Sequence, residues 1–251
     1  PLSIAPDCKS VVVLGRRILR GSLRGIEEGT NFHSTYGTFG CLWLEDNFLS
    51  RTTYETTCWL ETRGIEAVPL FAYHETGMPH GMPVAPGKPA PNVIVDFEFA
   101  AQAAGLAEMG LGDFPLTEEY GTRQRFALIL LDEAVEECNP VKTKSVCDNC
   151  GACAAACPLN AIDMDKKKVV GVKGSEMEVA SVDYNVCRAC KNGSYLAPGR
   201  GLKPDRCAAA CMRACMVELE KKGKLGNKFG QEFRKRKPWA LDAFQRPVEC
   251  K

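Results

Sequence analysis

Short apolar runs alternate with segments of helical character through the first half of the chain. Residues 10–15, 65–72 and 125–131 are β-branched or continuously apolar, which is typical of buried strands. Between them, apolar positions recur at helical spacing over residues 48–64, and residues 97–108 are rich in alanine. The order strand, helix, strand, helix, strand predicts an α+β fold that contains an α/β layer.

The composition of the chain changes near Pro140. Before it, residues 74–91 hold five prolines and three glycines, so we expect a long loop there. After it, cysteine, alanine and lysine dominate. We therefore divide the chain into an α/β domain that binds a cofactor or partner (1–140), a cysteine-rich module (141–219) and a basic C-terminal tail (220–251).

The overall composition is that of an ordinary globular protein. The 251 residues are 45% hydrophobic and 25% charged, and the net charge of +1 predicts no general attraction to polyanions. No run of 18 apolar residues occurs, and the N-terminus lacks a charged segment followed by an apolar one. With 14 cysteines in such a chain, we expect a soluble cytoplasmic protein without a membrane span, in a reducing, low-oxygen setting.

One cysteine run carries specific chemistry. Cys147, Cys150, Cys153 and Cys157 follow the spacing Cys-x2-Cys-x2-Cys-x3-Cys, and Pro158 comes next. Bacterial ferredoxins hold a 4Fe-4S cluster with this run, and its fourth thiolate binds a second cluster. A zinc site usually has two Cys-x2-Cys pairs farther apart, and a disulfide framework needs an oxidising compartment. The run therefore predicts iron–sulfur electron transfer.

A second cluster needs further thiolates, and the chain offers more candidates than places. The candidates are Cys187, Cys190, Cys207, Cys211 and Cys215. The last three are spaced by fours, which would place their sulfurs on one helical face. By analogy with the first run, Cys215 binds the first cluster, and Cys207 and Cys211 bind the second. The spacing does not choose between Cys187 and Cys190 for the remaining place.

The C-terminal tail is strongly basic. Residues 221–237 hold eight basic residues and one acidic residue. A solvated surface tail is one interpretation. The other is a docking patch for an acidic electron donor or for nucleic acid.

Several segments upstream of the cysteines resemble a known family. They are Leu60–Pro69, Ala101–Leu106, Thr117–Phe126 and the predicted strand that ends at Asp132. In their order and spacing before the cysteines, they resemble epoxyqueuosine reductases and corrinoid-dependent reductive dehalogenases. The similarity spans roughly residues 8–215. It implies a nitroreductase-like α/β domain that holds a cobalamin, followed by a two-cluster ferredoxin-like module that delivers electrons to it.

The resemblance also favours one cluster ligand. The segment Val182–Cys187 is similar to the family segment whose cysteine joins the second cluster. The expected first set is Cys147, Cys150, Cys153 and Cys215. The expected second set is Cys157, Cys187, Cys207 and Cys211, with Cys190 as the alternative to Cys187.

The resemblance also implies which residues contact a corrinoid. They lie between the predicted helix and the last predicted strand. They are Gly105, Gly110, Thr117, Tyr120 and Arg123. The family's glycine pattern departs here in one place, where Ala107 stands for a glycine. Because nitroreductase-like folds commonly hold FMN, a flavin is the alternative cofactor.

A corrinoid-dependent reductase needs a proton donor near the cobalt, and the family uses a tyrosine or an acid. By position, Tyr36 and Asp96 are the candidates. The ordinary interpretations are that an Asp before a helix is an N-cap and that a Tyr beside glycine belongs to a turn or a sheet edge.

Three functions agree with these patterns: a corrinoid-dependent reductase fed by two clusters, a non-catalytic electron carrier or activator, and a flavin enzyme. The expected partners are a low-potential donor such as a ferredoxin or flavodoxin, and a small-molecule or corrinoid-protein acceptor. Epoxyqueuosine reductases often continue into a helical repeat domain that contacts tRNA, whereas this chain ends at Lys251, so a tRNA substrate is not expected. Nitroreductase-like domains often dimerise, which allows a homodimer.

Overall fold

The computed structural model describes residues 1–70, 87, 95–136, 139–196 and 203–250. The predicted loop at 74–91 lies outside the described residues except for Gly87. In chain order, the elements are β1 (Ser10–Arg17), a 3-10 turn (Arg20–Leu23), α1 (Arg24–Glu27), two π-helical segments (His33–Leu42 and Leu44–Leu49), α2 (Ser50–Glu61), β2 (Ala67–Leu70), α3 (Phe97–Ala103), β3 (Glu108–Gly110), β4 (Phe114–Leu116), β5 (Gln124–Leu131), α4 (Ala152–Ala155), β6 (Ile162–Val170), β7 (Met177–Val182), α5 (Tyr184–Arg188), α6 (Ala210–Lys221), β8 (Ala240–Leu241) and β9 (Pro247–Val248).

A three-stranded antiparallel sheet in the order β1, β5, β2 confirms the predicted strands. Its central strand β5 is apolar on both faces because a helix covers each one. Leu128 packs with Phe97 and Ala101 of α3, whereas Ile129 packs with Leu60 of α2. Successive side chains of a strand point to opposite faces, so the continuous apolar run of β5 serves both layers. The remaining sheets, β3–β4, β6–β7 and β8–β9, are antiparallel pairs.

The two predicted helices are present, but one is shorter than expected. Helix α2 lies within the predicted 48–64 segment, whereas α3 ends at Ala103 and not near residue 108. Gly105 follows with φ of +73°, a left-handed conformation that ends the helix, and Glu108–Gly110 form strand β3. None of the described helices is long and apolar enough to cross a membrane.

The largest hydrophobic core crosses the boundaries predicted at residues 140 and 219. It joins Leu23 and Phe114 from the first segment with Cys153 and Met216 from the second and Phe233 from the third. The cysteine-rich module and the C-terminal segment therefore pack directly on residues of the α/β part.

The basic C-terminal segment is held by contacts with the rest of the chain. Trp239 donates its indole N–H to the carbonyl oxygen of Ile26 at 2.8 Å. Arg234 pairs with the buried carboxylate of Glu27. Lys222, near the start of the segment, pairs with Asp148 at 2.9 Å. Several of its positive charges are therefore compensated within the chain, and the segment is more than a solvated tail.

Candidate functional site

Four cysteines gather where the first cysteine run meets helix α6. Gly151 adopts φ of +78°, which turns the chain after Cys150 into the short helix α4, and α4 packs against α6. Cys153 is buried and Cys150 is exposed. Burial and the neighbouring Cys147 raise the pKa of Cys153 to about 11. Burial, then Cys153, Cys147 and Cys150, raise the pKa of Cys215 well above its ordinary value. We call Cys147, Cys150, Cys153 and Cys215 the first cysteine group.

Four other cysteines line one small cavity. They are Cys157, Cys187, Cys190 and Cys211, and we call them the second cysteine group. Helix α5 presents Cys187, and Asp183 caps this helix by accepting the backbone N–H groups of residues 185 and 186. Burial raises the pKa of Cys187 to about 11 and that of Cys211 to about 12. The sequence spacing left a choice between Cys187 and Cys190, and both line the cavity.

Cys207 does not line the cavity of the second cysteine group. Its Sγ atom donates to the carbonyl oxygen of Thr122 at 3.6 Å, and it lies near Tyr36 and Arg125. The predicted shared helical face does not match this arrangement, because α6 begins only at Ala210. The expected ligand set thus differs from the observed arrangement in one residue, with Cys190 in the position assigned to Cys207.

The two cysteine groups are neighbours joined through two chain segments. Cys211 and Cys215 lie one helical turn apart on α6 and belong to different groups. The first run divides in the same way, since Cys153 belongs to the first group and Cys157 to the second. Two-cluster ferredoxins exchange ligands in this manner.

Backbone amides point at several of these sulfurs. The N–H of Leu111 donates to Cys147 Sγ at 3.3 Å, and the N–H of Ala161 donates to Cys157 Sγ at 3.4 Å. Cys190 Sγ accepts from the backbone N–H of Asn192 at 3.4 Å. Hydrogen bonds to the sulfurs stabilise negative charge and are one of the terms that set cluster potentials.

The donor set fits iron–sulfur clusters. Thiols with pKa values of about 11 to 12, as at Cys153, Cys187 and Cys211, are neutral at pH 7, so binding a metal must displace their protons. Soft thiolates in groups of four are the ligands that 4Fe-4S clusters use. No three His, Cys, Asp or Glu side chains among the described residues converge tightly enough to hold a single metal ion.

Glu108 positions the first cysteine run and was not identified from the sequence. Its buried carboxylate accepts the backbone N–H groups of Ser145, Val146 and Cys147, the last two at 2.8 and 2.6 Å. A charged residue inside the apolar stretch around strand β3 was the available signal. Its partners lie nearly forty residues away, so the sequence could not name them.

Gly193 fixes the loop that presents Cys190. It has φ of +93°, and a Cβ atom there would lie 2.2 Å from the backbone oxygen of Ala208. We expect Gly193→Ala to reduce the free energy of unfolding by about 2 kcal/mol or more, from left-handed strain plus overpacking. Gly64 has φ of +78° and open space, so Gly64→Ala is the control and should cost about 1 kcal/mol, from strain alone. Urea unfolding of both variants measures the difference, and equal losses would contradict the close-approach argument.

Comparison with known proteins bears on this arrangement. A family model for the 4Fe-4S binding domain matches residues 140–163. A reductive dehalogenase structure, described in terms of B12-dependent dehalogenation, aligns with 89% of this chain at 18% identity and a TM-score of 0.55. The catabolic reductive dehalogenase NpRdhA aligns with 89% at 19% identity and the same TM-score. The chain has the fold of part of a reductive dehalogenase. Comparison with curated proteins finds no match.

The alignments cover only part of each dehalogenase chain. This chain spans 29% of each of those two dehalogenases. Epoxyqueuosine reductase from Bacillus subtilis aligns with 94% of this chain and 54% of its own at 15% identity, with a TM-score of 0.48. The resemblance read from the sequence is confirmed for the dehalogenase-like fold and the 4Fe-4S binding domain.

The glycines expected to contact a corrinoid are packed against the chain itself. A Cβ atom at Gly105 would lie 2.5 Å from the backbone oxygen of Pro140. At Gly110, it would lie 2.8 Å from Cδ1 of Leu116, the residue that follows in the β3–β4 hairpin. Protein atoms thus fill the space on the Cβ side of both glycines, and Gly110 is buried as well.

Thr117 and Arg123, two of the other expected corrinoid contacts, are also engaged within the chain. Thr117 Oγ1 accepts the backbone N–H of Tyr120 at 3.2 Å, within a tight turn. Arg123 is 2% exposed, and its Nη1 donates to Glu220 Oε1 at 2.7 Å. Like Gly105 and Gly110, Thr117 and Arg123 therefore make close contacts within the chain, and a corrinoid contact at any of these residues stays a prediction.

The two expected proton donors have structural roles. Tyr36 is fully buried, donates to Asp205 Oδ2 at 2.6 Å and accepts from Arg125 Nη2 at 2.7 Å. Burial raises its pKa well above the ordinary value, which makes it a poor acid. Asp96 is the N-cap of α3 and accepts the N–H of Phe99 at 3.0 Å. These contacts give both residues a structural role, and a catalytic role for either stays a prediction.

Proposed function

We propose that the protein transfers single electrons through two adjacent 4Fe-4S clusters. The division of eight cysteines into two neighbouring groups of four supports this function most directly. The proposed ligands of the first cluster are Cys147, Cys150, Cys153 and Cys215. Those of the second are Cys157, Cys187, Cys190 and Cys211.

The proposed electron path begins near the surface, at the first cysteine group. A bound 4Fe-4S cluster supplies one-electron redox chemistry. The first cysteine group includes the exposed Cys150, whereas Cys187 and Cys211 of the second group are buried. Helix α6 fixes the separation of the two groups through Cys211 and Cys215. We propose that a low-potential donor such as a ferredoxin or flavodoxin docks beside Cys150 and that electrons then pass inward.

The acceptor we propose is carried by a partner protein. Likeness to the fold of a B12-dependent reductive dehalogenase favours a corrinoid protein as that partner. The packing at Gly105, Gly110 and Arg123 disfavours a corrinoid held beside them in this chain. Electron transfer thus has more support than catalysis by a corrinoid of the chain's own.

Metal and cofactor analysis of the anaerobically purified protein tests this proposal. We expect about eight irons and about eight sulfides per chain, without stoichiometric cobalt or flavin. Cobalt at about one per chain would support a corrinoid-dependent reductase, and a flavin spectrum would support a flavin enzyme. A protein that takes up no iron during reconstitution would overturn all three functions.

A further inference from the structure

Arg206 is a buried cation that lines the cavity of the second cysteine group. Only 4% of the residue is exposed. Its Nη1 donates to the carbonyl oxygen of Gly112 at 3.0 Å, and its Nη2 donates to the carbonyl oxygen of Asp113. A weaker bond of 3.4 Å runs from Nη2 to the hydroxyl of Tyr184. These acceptors are neutral, so they fix the guanidinium without cancelling its charge.

Aromatic rings and a neighbouring ion pair hold this arrangement. The guanidinium carbon lies 5.3 Å from the ring centre of Tyr184 and 5.5 Å from that of Phe114. The carboxylate of Asp113 pairs with Lys168 at 2.7 Å and accepts from the Tyr184 hydroxyl at 2.6 Å, and its charge acts on Arg206 less than Cys211 and Cys187 do. A buried cation is costly unless an anion compensates it. The thiolates of the second cysteine group are in position to do so.

The positive charge of Arg206 lowers the pKa values of two thiols in the second cysteine group. Burial raises the pKa values of Cys187 and Cys211, and Arg206 is the main influence that lowers both. The first cysteine group has a different environment. Lys222, which interacts electrostatically with Cys150, is exposed and paired with Asp148 at 2.9 Å. Solvent and the opposite charge screen that lysine, whereas protein surrounds Arg206.

We propose that Arg206 raises the reduction potential of the second cluster above that of the first and so directs electrons toward the second cluster. Each reduction adds one negative charge to a cluster, and a nearby buried cation stabilises the reduced form more than the oxidised form. The second cluster is then the favourable destination for an electron that enters at the first. This inference rests on the two-cluster function proposed above.

Potentiometric titration followed by EPR, on the anaerobically reconstituted full chain, tests the inference. Arg206→Gln removes the charge but keeps hydrogen-bond donors for the carbonyls of Gly112 and Asp113. We expect the higher of the two cluster potentials, which the inference assigns to the second cluster, to fall by at least about 59 mV, a tenfold change in the ratio of reduced to oxidised cluster for one electron. The other potential should move much less, which makes the first cluster an internal reference. Arg206→Lys keeps the charge and should retain most of the original potential.

Arg20→Met is the control. Arg20 pairs with Glu220 at 2.9 Å, away from the second cysteine group, so its loss should leave both potentials unchanged. If both potentials of Arg206→Gln stay at their wild-type values or shift equally, or if only the lower one falls, the inference is overturned. If Arg206→Gln cannot hold the second cluster, Arg206→Lys still tests the inference, because a fall of about 59 mV or more in a variant that keeps the charge would overturn it. A wild-type chain that binds only about four irons would overturn the two-cluster function itself, and this inference with it.

Discussion

Replacing Cys190 with serine should remove about half of the bound iron, from about eight to about four atoms per chain. Cys190 lines the cavity that also contains Cys157, Cys187 and Cys211. Serine is a poor ligand for iron in a thiolate cluster, so the second cluster would lose one of its four attachments. The first cysteine group would keep all of its thiolates. Iron and sulfide analysis after anaerobic reconstitution measures the loss.

Cys207→Ser is the matched control for that experiment. Cys207 is buried and donates to the carbonyl oxygen of Thr122, and a serine hydroxyl could replace this bond. We therefore expect the variant to keep about eight irons. The reverse outcome, with iron lost from Cys207→Ser and kept in Cys190→Ser, would show that Cys207 is the ligand.

Arg125→Met should lower the free energy of unfolding by about 3 to 5 kcal/mol, the usual cost of removing one partner from a buried ion pair. Arg125 Nη2 pairs with Asp205 Oδ2 at 2.6 Å, and its Nε lies 3.2 Å from Glu45 Oε1. Both carboxylates are almost fully buried, with side-chain exposures of 1% and 6%. Without the arginine, two buried negative charges would lose their shared partner. In urea unfolding, we expect the midpoint to fall by about 1 to 2 M.

Arg16→Met provides the surface comparison on the neighbouring strand. Arg16 lies directly opposite Arg125 in the register of β1 and β5. It is exposed, and its Nε donates to Thr52 Oγ1 at 2.9 Å. Its loss should change the free energy of unfolding by less than about 1 kcal/mol. Equal losses in the two variants would indicate that the buried network around Tyr36 contributes no more than a surface contact.

Local patterns predicted the central sheet and the first cysteine run. Strand β5 was identifiable because helices cover both of its faces, which selects a continuous apolar run. The spacing from Cys147 to Cys157 specified a cluster loop because all of those ligands lie within eleven residues. In both cases, the information sits in one short stretch of chain.

The rest of the site depends on contacts between distant segments. The spacing by fours suggested that Cys207 shares a helix with Cys211, but the helix begins at Ala210. A helix start is set by backbone geometry that sequence patterns locate only to within a few residues. Glu108 and Arg206 are single charged residues whose roles arise from carbonyl and amide groups elsewhere in the chain. No periodicity marks such residues in advance.

The EPR spectrum of the fully reduced protein tests the central claim of two adjacent clusters most directly. Cys211 and Cys215, one helical turn apart on α6, place the two groups side by side. The account predicts about two spins per chain, with the broadening that spin–spin interaction produces between neighbouring reduced clusters. A narrow signal that integrates to about one spin per chain, with about four irons, would contradict it.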